Sequence, residues 1–250
     1  MAIYVTSDAH GHVRALDEAL SKISLTSDDT LYVLGDMIDR GPDPVGVINL
    51  VRSLPNARVL KGNHEQIMLD AIIGQDPLDA ETWDINGGWT TRQQLNEMEF
   101  EAYEELVRWA AALPLYAVAE TAERPYLLVH AGIQTEAARA FLLEHGVDCA
   151  DGRGAVDADT ELLQQMLAVQ SSDDLLWIRH GYWDAPTGLL SAEGKGPVVV
   201  SGHTPTVSLG RYCEVGGLAG LDEESGRGQT VRLGGEDTAG VPDRIDIGCA

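Results

Sequence analysis

The sequence predicts an α/β fold, because short β-rich segments alternate with segments of helical periodicity in units of roughly 30 residues. The strand-like segments are IYVTS (residues 3–7), TLYVLG (30–35) and ARVLKG (57–62), and helix-like patterns over 13–23 and 44–54 separate them. Each strand-like segment also ends in a polar cluster: SDAHGH, GDMIDRG and GNHE. In α/β sheets ligands bind beyond the carboxyl ends of the strands, so these clusters are expected to converge.

The remaining elements follow in order. Residues 67–113 have helical periodicity and are predicted to form a helical insertion, in which the tryptophans serve in packing. LYAVAE (115–120) and PYLLVHAG (125–132) predict a hairpin with a turn at residues 123–125. Two helical segments, the strand PVVVSGHT (197–204), a glycine-rich acidic loop over about 214–243 and a last strand, RIDIGCA (244–250), complete the chain. Residues 1–250 are predicted to form a single domain.

Composition narrows the class of partner. The net charge of −23 argues against binding to a nucleic-acid backbone or an anionic membrane, because the field of the protein repels both. The sequence contains no apolar run near the roughly 20 residues that a membrane helix needs. Three cysteines without framework spacing fit a reducing compartment. A cytoplasmic protein is expected, and the sequence leaves its oligomeric state open.

The polar clusters supply carboxylates, imidazoles and an amide from five glycine-flanked loops. Imidazole and carboxylate together suit Mn, Fe or Zn. These candidate ligands are too many for one catalytic ion, and they suit two ions roughly 3.5–4 Å apart that share a bridging carboxylate. The residues concerned are Asp8, His10, Asp36, Asp39, Asn63, His64, His130 and His203, with Arg40 beside them.

The order of these fragments resembles the phosphoprotein phosphatase family of calcineurin-like metallophosphoesterases. The matching fragments are Asp8-x-His10-Gly11, Gly35-Asp36-x-x-Asp39-Arg40-Gly41, Gly62-Asn63-His64-Glu65, His130-Ala131-Gly132 and Gly202-His203-Thr204. NGGWTT (86–91) and LLWIRH (175–180) resemble further segments of the bacterial serine/threonine protein phosphatases. The resemblance implies a central β-sandwich of mixed sheets flanked by helices.

The resemblance also implies roles for single residues. Asp8 and His10 hold the first ion, Asp36 bridges both ions, and Asn63, His130 and His203 hold the second. The ions are expected to be Mn²⁺, with Fe or Zn as alternatives, and a hydroxide between them attacks phosphorus directly. His64 acts as general acid and is oriented and kept cationic by Asp39. Arg40, Arg179 and Asn63 contact the substrate.

Simpler explanations exist for two of these residues. Asn63 could merely cap the helix that starts near His64. Arg179 could form an ordinary surface salt bridge. Three further histidines receive no role: His12, His145 and His180.

Three functions are open at this point. The first expectation is a metal-dependent phosphomonoesterase, a serine/threonine protein phosphatase acting on a phosphoprotein or small phosphate ester. The alternative is a symmetrical bis(5'-nucleosyl)-tetraphosphatase, a related hydrolase that often lacks the aspartate found here as Asp39. The third is an inactive pseudoenzyme that binds phosphopeptides. The complete set of ligands argues against the third, since binding alone requires neither a bridging carboxylate nor an acid.

Overall fold

Two four-stranded sheets lie at the centre of the part of the chain that the computed structural model describes, residues 2–74, 76–183, 185–205, 230–234 and 243–248. The first sheet has the order β3-β2-β1-β7 and the second the order β4-β5-β6-β8. The strands are β1 Ile3–Thr6, β2 Thr30–Val33, β3 Ala57–Val59, β4 Tyr116–Glu120, β5 Pro125–Val129, β6 Val198–Ser201, β7 Val231–Leu233 and β8 Arg244–Asp246.

Both sheets are mixed. In the first, β1, β2 and β3 are parallel and β7 is antiparallel to β1. In the second, β4 and β5 form an antiparallel hairpin, and β5, β6 and β8 are parallel. The hairpin is therefore confirmed, although Pro125 pairs with Glu120 as a strand residue and the turn comes earlier, at residues 121–124. Its hydrogen bonds run between Thr121 and Arg124.

Helices cover the outer faces of the two sheets. They are α1 Val13–Ile23, α2 Pro44–Ser53, α3 Asn63–Ile73, α4 Leu78–Ile85, α5 Trp89–Asn96, α6 Phe100–Ala111, α7 Thr135–Glu144, α8 Thr160–Ala168 and α9 Ser172–Trp177. The first six pack on the first sheet and the last three on the second. The predicted helical insertion thus comprises α3 to α6.

Alternating side chains along the strands explain this layered arrangement. In β2, Leu31 and Val33 pack against helices, while Tyr32 contributes to the core between the sheets. In β5, Leu127 and Val129 face helices, and Leu128 faces the other sheet. Successive strand residues point to opposite faces, so strands that are apolar throughout must be covered on both sides. The predicted β-sandwich flanked by helices is confirmed.

The predicted loop over 214–243 requires a correction. Residues 231–233 form β7, in which Val231 and Leu233 are buried and Arg232 is exposed. A three-residue strand shows only one cycle of the two-residue period, which is too short to stand out in a glycine-rich sequence. The rest of the predicted loop, apart from residues 230, 234 and 243, lies outside the described residues.

No helix in the described ranges is both long enough and apolar enough to cross a membrane.

Candidate metal centre

The candidate ligands all follow the carboxyl ends of parallel strands, most of them in loops and Asn63 and His64 in the first turn of α3. Backbone hydrogen bonds join these loops directly: Asp8 N–H donates to the Gly35 carbonyl at 3.1 Å, and His10 N–H donates to the Asp36 carbonyl at 2.9 Å. In the second sheet, Gly202 N–H donates to the His130 carbonyl at 2.8 Å. The carboxyl ends of the strands thus bring the five sequence fragments together, as the sequence predicts.

The backbone of these loops adopts an uncommon conformation. Eight non-glycine residues have positive φ in the part of the chain that the structure describes, and six of them are candidate site residues. Such conformations cost of order 1–3 kcal/mol each and persist where the surrounding structure holds them. Strain concentrated here therefore marks a functional site. The six residues are Asp8, His10, Asp36, Asp39, Arg40 and His203.

Two glycines allow the loops after β2 and β3 to touch. Gly35 has φ +94°, and a Cβ at this position would collide with the backbone of Gly62. A Cβ on Gly62 would in turn collide with the carboxylate of Asp36. Only glycine permits so close an approach of two backbones.

Asp36 lies between two groups of histidines. Its Oδ2 is 3.6 Å from Nε2 of His10 and 3.5 Å from Nε2 of His130. Its Oδ1 accepts the backbone N–H of His64 at 3.0 Å, at the start of α3. One carboxylate oxygen therefore faces both groups while the backbone fixes the other. This geometry suits a bridging ligand. The bridge would be made by Oδ2 alone, however, and not by one carboxylate oxygen for each ion.

The second predicted ligand set converges on one point. Oδ1 of Asn63 lies 2.8 Å from Nε2 of His130 and 2.9 Å from Nδ1 of His203. Ligand atoms of Asp36, His130 and His203 fall within 4.8 Å of one another. Carboxylate, amide and imidazole donors so close together fit a divalent transition metal. Since Gly62 is the residue that precedes α3 and the Asn63 side chain contacts the histidines, the helix-cap explanation for Asn63 is wrong.

The first ligand set is less complete. Ligand atoms of His10, Asp36 and His64 also lie within 4.8 Å of one another. Asp8 belongs to neither of the two groups found among the described residues, and both of its carboxylate oxygens accept the backbone N–H of His203 at 3.1 Å. Its role as a ligand of the first ion stays a prediction.

Two imidazoles are oriented by backbone carbonyls. Nδ1 of His10 lies 2.9 Å from the carbonyl of Ile38, and Nδ1 of His130 lies 2.7 Å from the carbonyl of Leu34. A carbonyl accepts hydrogen bonds only, so Nδ1 carries the proton in both rings and Nε2 is left with a lone pair. This arrangement is typical of histidines that bind metals.

The electrostatics of the centre favour a cation. The pKa of Asp8 is raised to about 7, chiefly by burial, which His130 partly offsets and the nearby Asp36 reinforces. Burial also raises the pKa of Asp36 well above its usual value, and Glu65 adds to this. Burial lowers the pKa of His130 and His203, which keeps both imidazoles neutral. The imidazoles are neutral, and burial disfavours the negative charge of the carboxylates. Positive ions bound between them would stabilise that charge.

His64 and Asp39 form a buried hydrogen-bonded pair. Nδ1 of His64 lies 2.7 Å from Oδ2 of Asp39. Burial raises the pKa of Asp39 to about 6, and burial together with the cationic Arg40 lowers that of His64 to about 3. The attraction within an ion pair would lower the pKa of Asp39 and raise that of His64. Because the shifts have the opposite directions, desolvation dominates, and the pair is a carboxylate with a neutral imidazole. Burial and Arg40 thus oppose a cationic His64, and the expectation that Asp39 keeps it cationic stays a prediction.

Both predicted arginines are at the site. Arg40 donates from Nη1 to Nε2 of His10 at 3.1 Å and from Nη2 to Nε2 of His64 at 2.8 Å. Arg179 donates from Nη2 to the carbonyl of His203 at 3.4 Å, and within the described ranges it forms no salt bridge. Beside it the indole of Trp177, which is 41% exposed, packs edge-on against the ring of His203 at 5.9 Å.

Sequence reasoning missed Glu65, which ties two loops together. Its carboxylate accepts the backbone N–H groups of Asp36 at 2.9 Å, Met37 at 2.8 Å and Gly62 at 2.8 Å. Glu65 is fully buried, and these three bonds fix the backbone at Asp36, the predicted bridging carboxylate. Its place directly after the predicted ligand Asn63 and the predicted acid His64, in the fragment GNHE, was the available signal.

The tryptophans of the insertion are only partly explained by packing. Trp83 is buried, but its indole N–H donates to Asp39 at 3.0 Å. Trp89 is exposed. The three unassigned histidines, His12, His145 and His180, are exposed, and ligand distances place none of them in either metal-binding group of the described residues.

Comparison with known proteins agrees with this geometry. The family model described as Calcineurin-like phosphoesterase matches residues 1–226. The crystal structure of a metallophosphoesterase from Sphaerobacter thermophilus aligns with a TM-score of 0.50 at 18% identity. The alignment covers 100% of this chain and 76% of that chain. At this identity the similarity is one of fold.

Two curated relatives are both named symmetrical bis(5'-nucleosyl)-tetraphosphatase. The protein from Proteus mirabilis is 29% identical over 220 residues, which is 85% of this chain and 68% of the relative. The protein from Erwinia tasmaniensis is 31% identical over 136 residues, which is 53% of this chain and 45% of the relative. Against the second relative, the chain spans less than half of its length.

Proposed function

Because the chain belongs to the calcineurin-like phosphoesterase family, we propose that it hydrolyses a bis(5'-nucleosyl) tetraphosphate to two nucleoside diphosphates. As a member of the family, it is a metal-dependent phosphoesterase hydrolase. The observation that carries the chemistry is the placement of Asp36 Oδ2 within 3.6 Å of His10 and 3.5 Å of His130. The names of the curated relatives support the substrate, and they favour it over the phosphoprotein expected from the motifs.

The residues present fit two divalent ions. His10, Asp36 and Asp8 would hold one, and Asn63, His130 and His203 would hold the other, with Asp36 shared. Such ions neutralise phosphate charge and lower the pKa of water to near neutrality. Both the native metal and the individual ligand roles remain proposals.

The side chains around the centre orient the polyphosphate. Arg40 and Arg179 present guanidinium groups, which form paired hydrogen bonds with phosphate oxygens. In the described structure Arg40 donates to Nε2 of His64, so this nitrogen becomes available for a proton only when Arg40 turns to the phosphate. The anionic substrate then raises the pKa of His64, which protonates the leaving oxygen from Nε2.

Trp177 supports a nucleotide as the group attached to the phosphates. Its indole is partly exposed at the edge of the centre, beside His203 and near Arg179. A nucleobase stacks on an indole whatever its sequence identity, with roughly 1–3 kcal/mol per base. A phosphoserine side chain offers no aromatic face for this contact.

One observation favours the second candidate, a serine/threonine protein phosphatase. The pair of Asp39 and His64 is complete. A serine alkoxide is a basic leaving group that needs protonation, whereas a nucleoside diphosphate is weakly basic and needs it less. The complete pair of His64 and Asp39 would therefore accelerate the hydrolysis of a phosphoprotein more than that of a tetraphosphate.

The experiment is a comparison of substrates by one metal-loaded preparation. Diadenosine tetraphosphate, p-nitrophenyl phosphate and a phosphoserine peptide are assayed with Mn²⁺, and the nucleotide products are separated by anion exchange. We expect the tetraphosphate to have the highest kcat/KM and to give ADP as the sole product. Preferred hydrolysis of the phosphopeptide would support the phosphatase, and hydrolysis of none of the three would support a binding pseudoenzyme.

A further inference from the structure

We propose that Thr91 and Trp83, two residues of the helical insertion, are positioning residues that hold the carboxylate of Asp39 against His64. The inference rests on the proposed phosphoester hydrolysis, in which His64 is the acid. It assigns a role in catalysis to helices α4 and α5, which lie outside the strand-end loops.

The hydrogen bonds of Asp39 carry the inference. Oδ1 accepts from the Thr91 hydroxyl at 2.6 Å and from the Trp83 indole N–H at 3.0 Å. Oδ2 accepts from Nδ1 of His64 at 2.7 Å. The indole N–H also lies 3.2 Å from Oδ2. The insertion thus holds Oδ1 through two donors, while Oδ2 faces the imidazole.

Thr91 also fixes the rotation of the Asp39 side chain. Its hydroxyl oxygen accepts the backbone N–H of Asp39 at 2.9 Å while its proton is donated to the carboxylate of the same residue. The hydroxyl therefore bridges backbone and side chain, which leaves the carboxylate one orientation. Asp39 and Thr91 are fully buried and Trp83 is nearly so, so water does not compete for these bonds.

A further contact joins the insertion to the same loop. The backbone N–H of Arg40 donates to the carbonyl of Gly87 at 3.0 Å, in the turn between α4 and α5. Asp39 and Arg40 both have positive φ, at 68° and 65°. The insertion therefore stabilises a strained loop at the two residues whose side chains reach the acid.

The orientation matters for the proton. A carboxylate that accepts from Nδ1 keeps the His64 proton on that nitrogen, so Nε2 faces the leaving oxygen. If Asp39 rotates, the ring is free to take the other tautomer or to turn. Losing Thr91 should then slow the step that needs the acid and leave substrate binding unchanged.

The test uses four variants with a matched control on the same helix. Thr91→Val removes the hydroxyl, Thr91→Ser keeps it, and Trp83→Phe removes the N–H and keeps an aromatic ring. Thr90→Val is the control, because Thr90 is also buried and its hydroxyl has no partner among the described residues. Metal content and thermal midpoint are measured for each to show that the fold is retained.

We expect Thr91→Val to lower kcat about tenfold or more for an alkyl phosphate ester, with KM unchanged. The loss should be several-fold smaller for p-nitrophenyl phosphate, and Thr91→Ser and Thr90→Val should match the wild type. Trp83→Phe should show the same substrate dependence as Thr91→Val. In an Asp39→Asn background, Thr91→Val should add nothing, because the two changes interrupt one interaction. Equal losses for both esters, or full additivity with Asp39→Asn, would overturn the inference.

A measurement without substrate separates this inference from the proposed function. In metal-free protein, NMR should show the Nδ1–H of His64 as a slowly exchanging resonance, assigned by its absence in His64→Asn. We expect Thr91→Val to broaden or remove it and Thr90→Val to preserve it. An unchanged resonance in Thr91→Val overturns the positioning role even if the enzyme is active, whereas an inactive wild type with the expected spectra overturns only the proposed function.

Discussion

Nδ1 of His64 lies 2.7 Å from Oδ2 of Asp39, and both side chains are shielded from solvent. This pairing leaves Nε2 of His64, which here accepts a hydrogen bond from Arg40, as the nitrogen that would protonate the leaving group. It therefore predicts that the effect of a His64 variant depends on the leaving group. His64→Asn should keep both metals but lower kcat by about a hundredfold for an alkyl phosphate. Diadenosine tetraphosphate and p-nitrophenyl phosphate should lose less, because their leaving groups are weakly basic. Steady-state kinetics on the three substrates measure this, and uniform losses would argue against His64 as the acid.

Asp36→Asn should abolish the binding of two ions and the activity together. The carboxylate oxygen that faces both His10 and His130 would be replaced by a neutral group, so neither ion retains its shared ligand. Metal content after dialysis against Mn²⁺, determined by atomic emission, should fall from two ions to one or none. The exposed Asp17→Asn serves as the control and should retain two. Two ions in Asp36→Asn would contradict the bridging assignment.

Trp177→Ala should weaken the binding of nucleotides selectively. The partly exposed indole would no longer be available to a base, so KM for diadenosine tetraphosphate should rise roughly five- to a hundredfold. KM for p-nitrophenyl phosphate should change less than twofold. Phe100→Ala, which removes another exposed aromatic side chain, should change neither value. A similar rise in KM for both substrates would show that Trp177 supports the centre itself and not a nucleobase.

Asp246→Asn should stabilise the metal-free protein at neutral and higher pH. Asp246 is buried on β8, and its Oδ2 has no hydrogen-bond partner in the described part of the chain. Burial raises its pKa well above the usual value, and Asp8 adds to this. The folded state therefore holds a proton that the unfolded chain releases above about pH 4, so this carboxyl makes stability fall as pH rises.

The amide resembles the protonated acid and does not titrate. Its gain in the free energy of unfolding should be about 1 kcal/mol or more at pH 8 and smaller at pH 5. Urea denaturation of metal-free protein at the two pH values measures this. A gain that is larger at pH 5 than at pH 8 would have the wrong sign for a raised pKa.

The sequence predicted the strands and the residues at their ends because both depend on local signals. Apolar β-rich runs mark β1, β2 and β3, and polar residues with glycines follow each of them. In parallel strands the carboxyl ends meet at one edge, so the topology of the first sheet alone brings Asp8, Asp36 and Asn63 together. The family resemblance added the division of roles, which local pattern could not supply.

The features that were missed depend on packing between distant segments. Thr91 and Trp83 reach Asp39 only because α4 and α5 fold back over the loop after β2. The hydrophobic periodicity of the sequence predicts the helices but not this contact between segments. The charge of His64 depends on how completely it is buried. Strand β7 pairs with β1, which lies at the other end of the sequence. Its three residues form a strand because of this pairing, which local pattern does not predict.

The central claim is that two cations lie on either side of Asp36. Anomalous diffraction from crystals grown with Mn²⁺, recorded on both sides of the manganese absorption edge, tests this directly. We expect two peaks roughly 3.5–4 Å apart, one near His10 and one among Asn63, His130 and His203. The absence of both peaks, with these side chains turned away from each other in the manganese-grown crystals, would contradict the account.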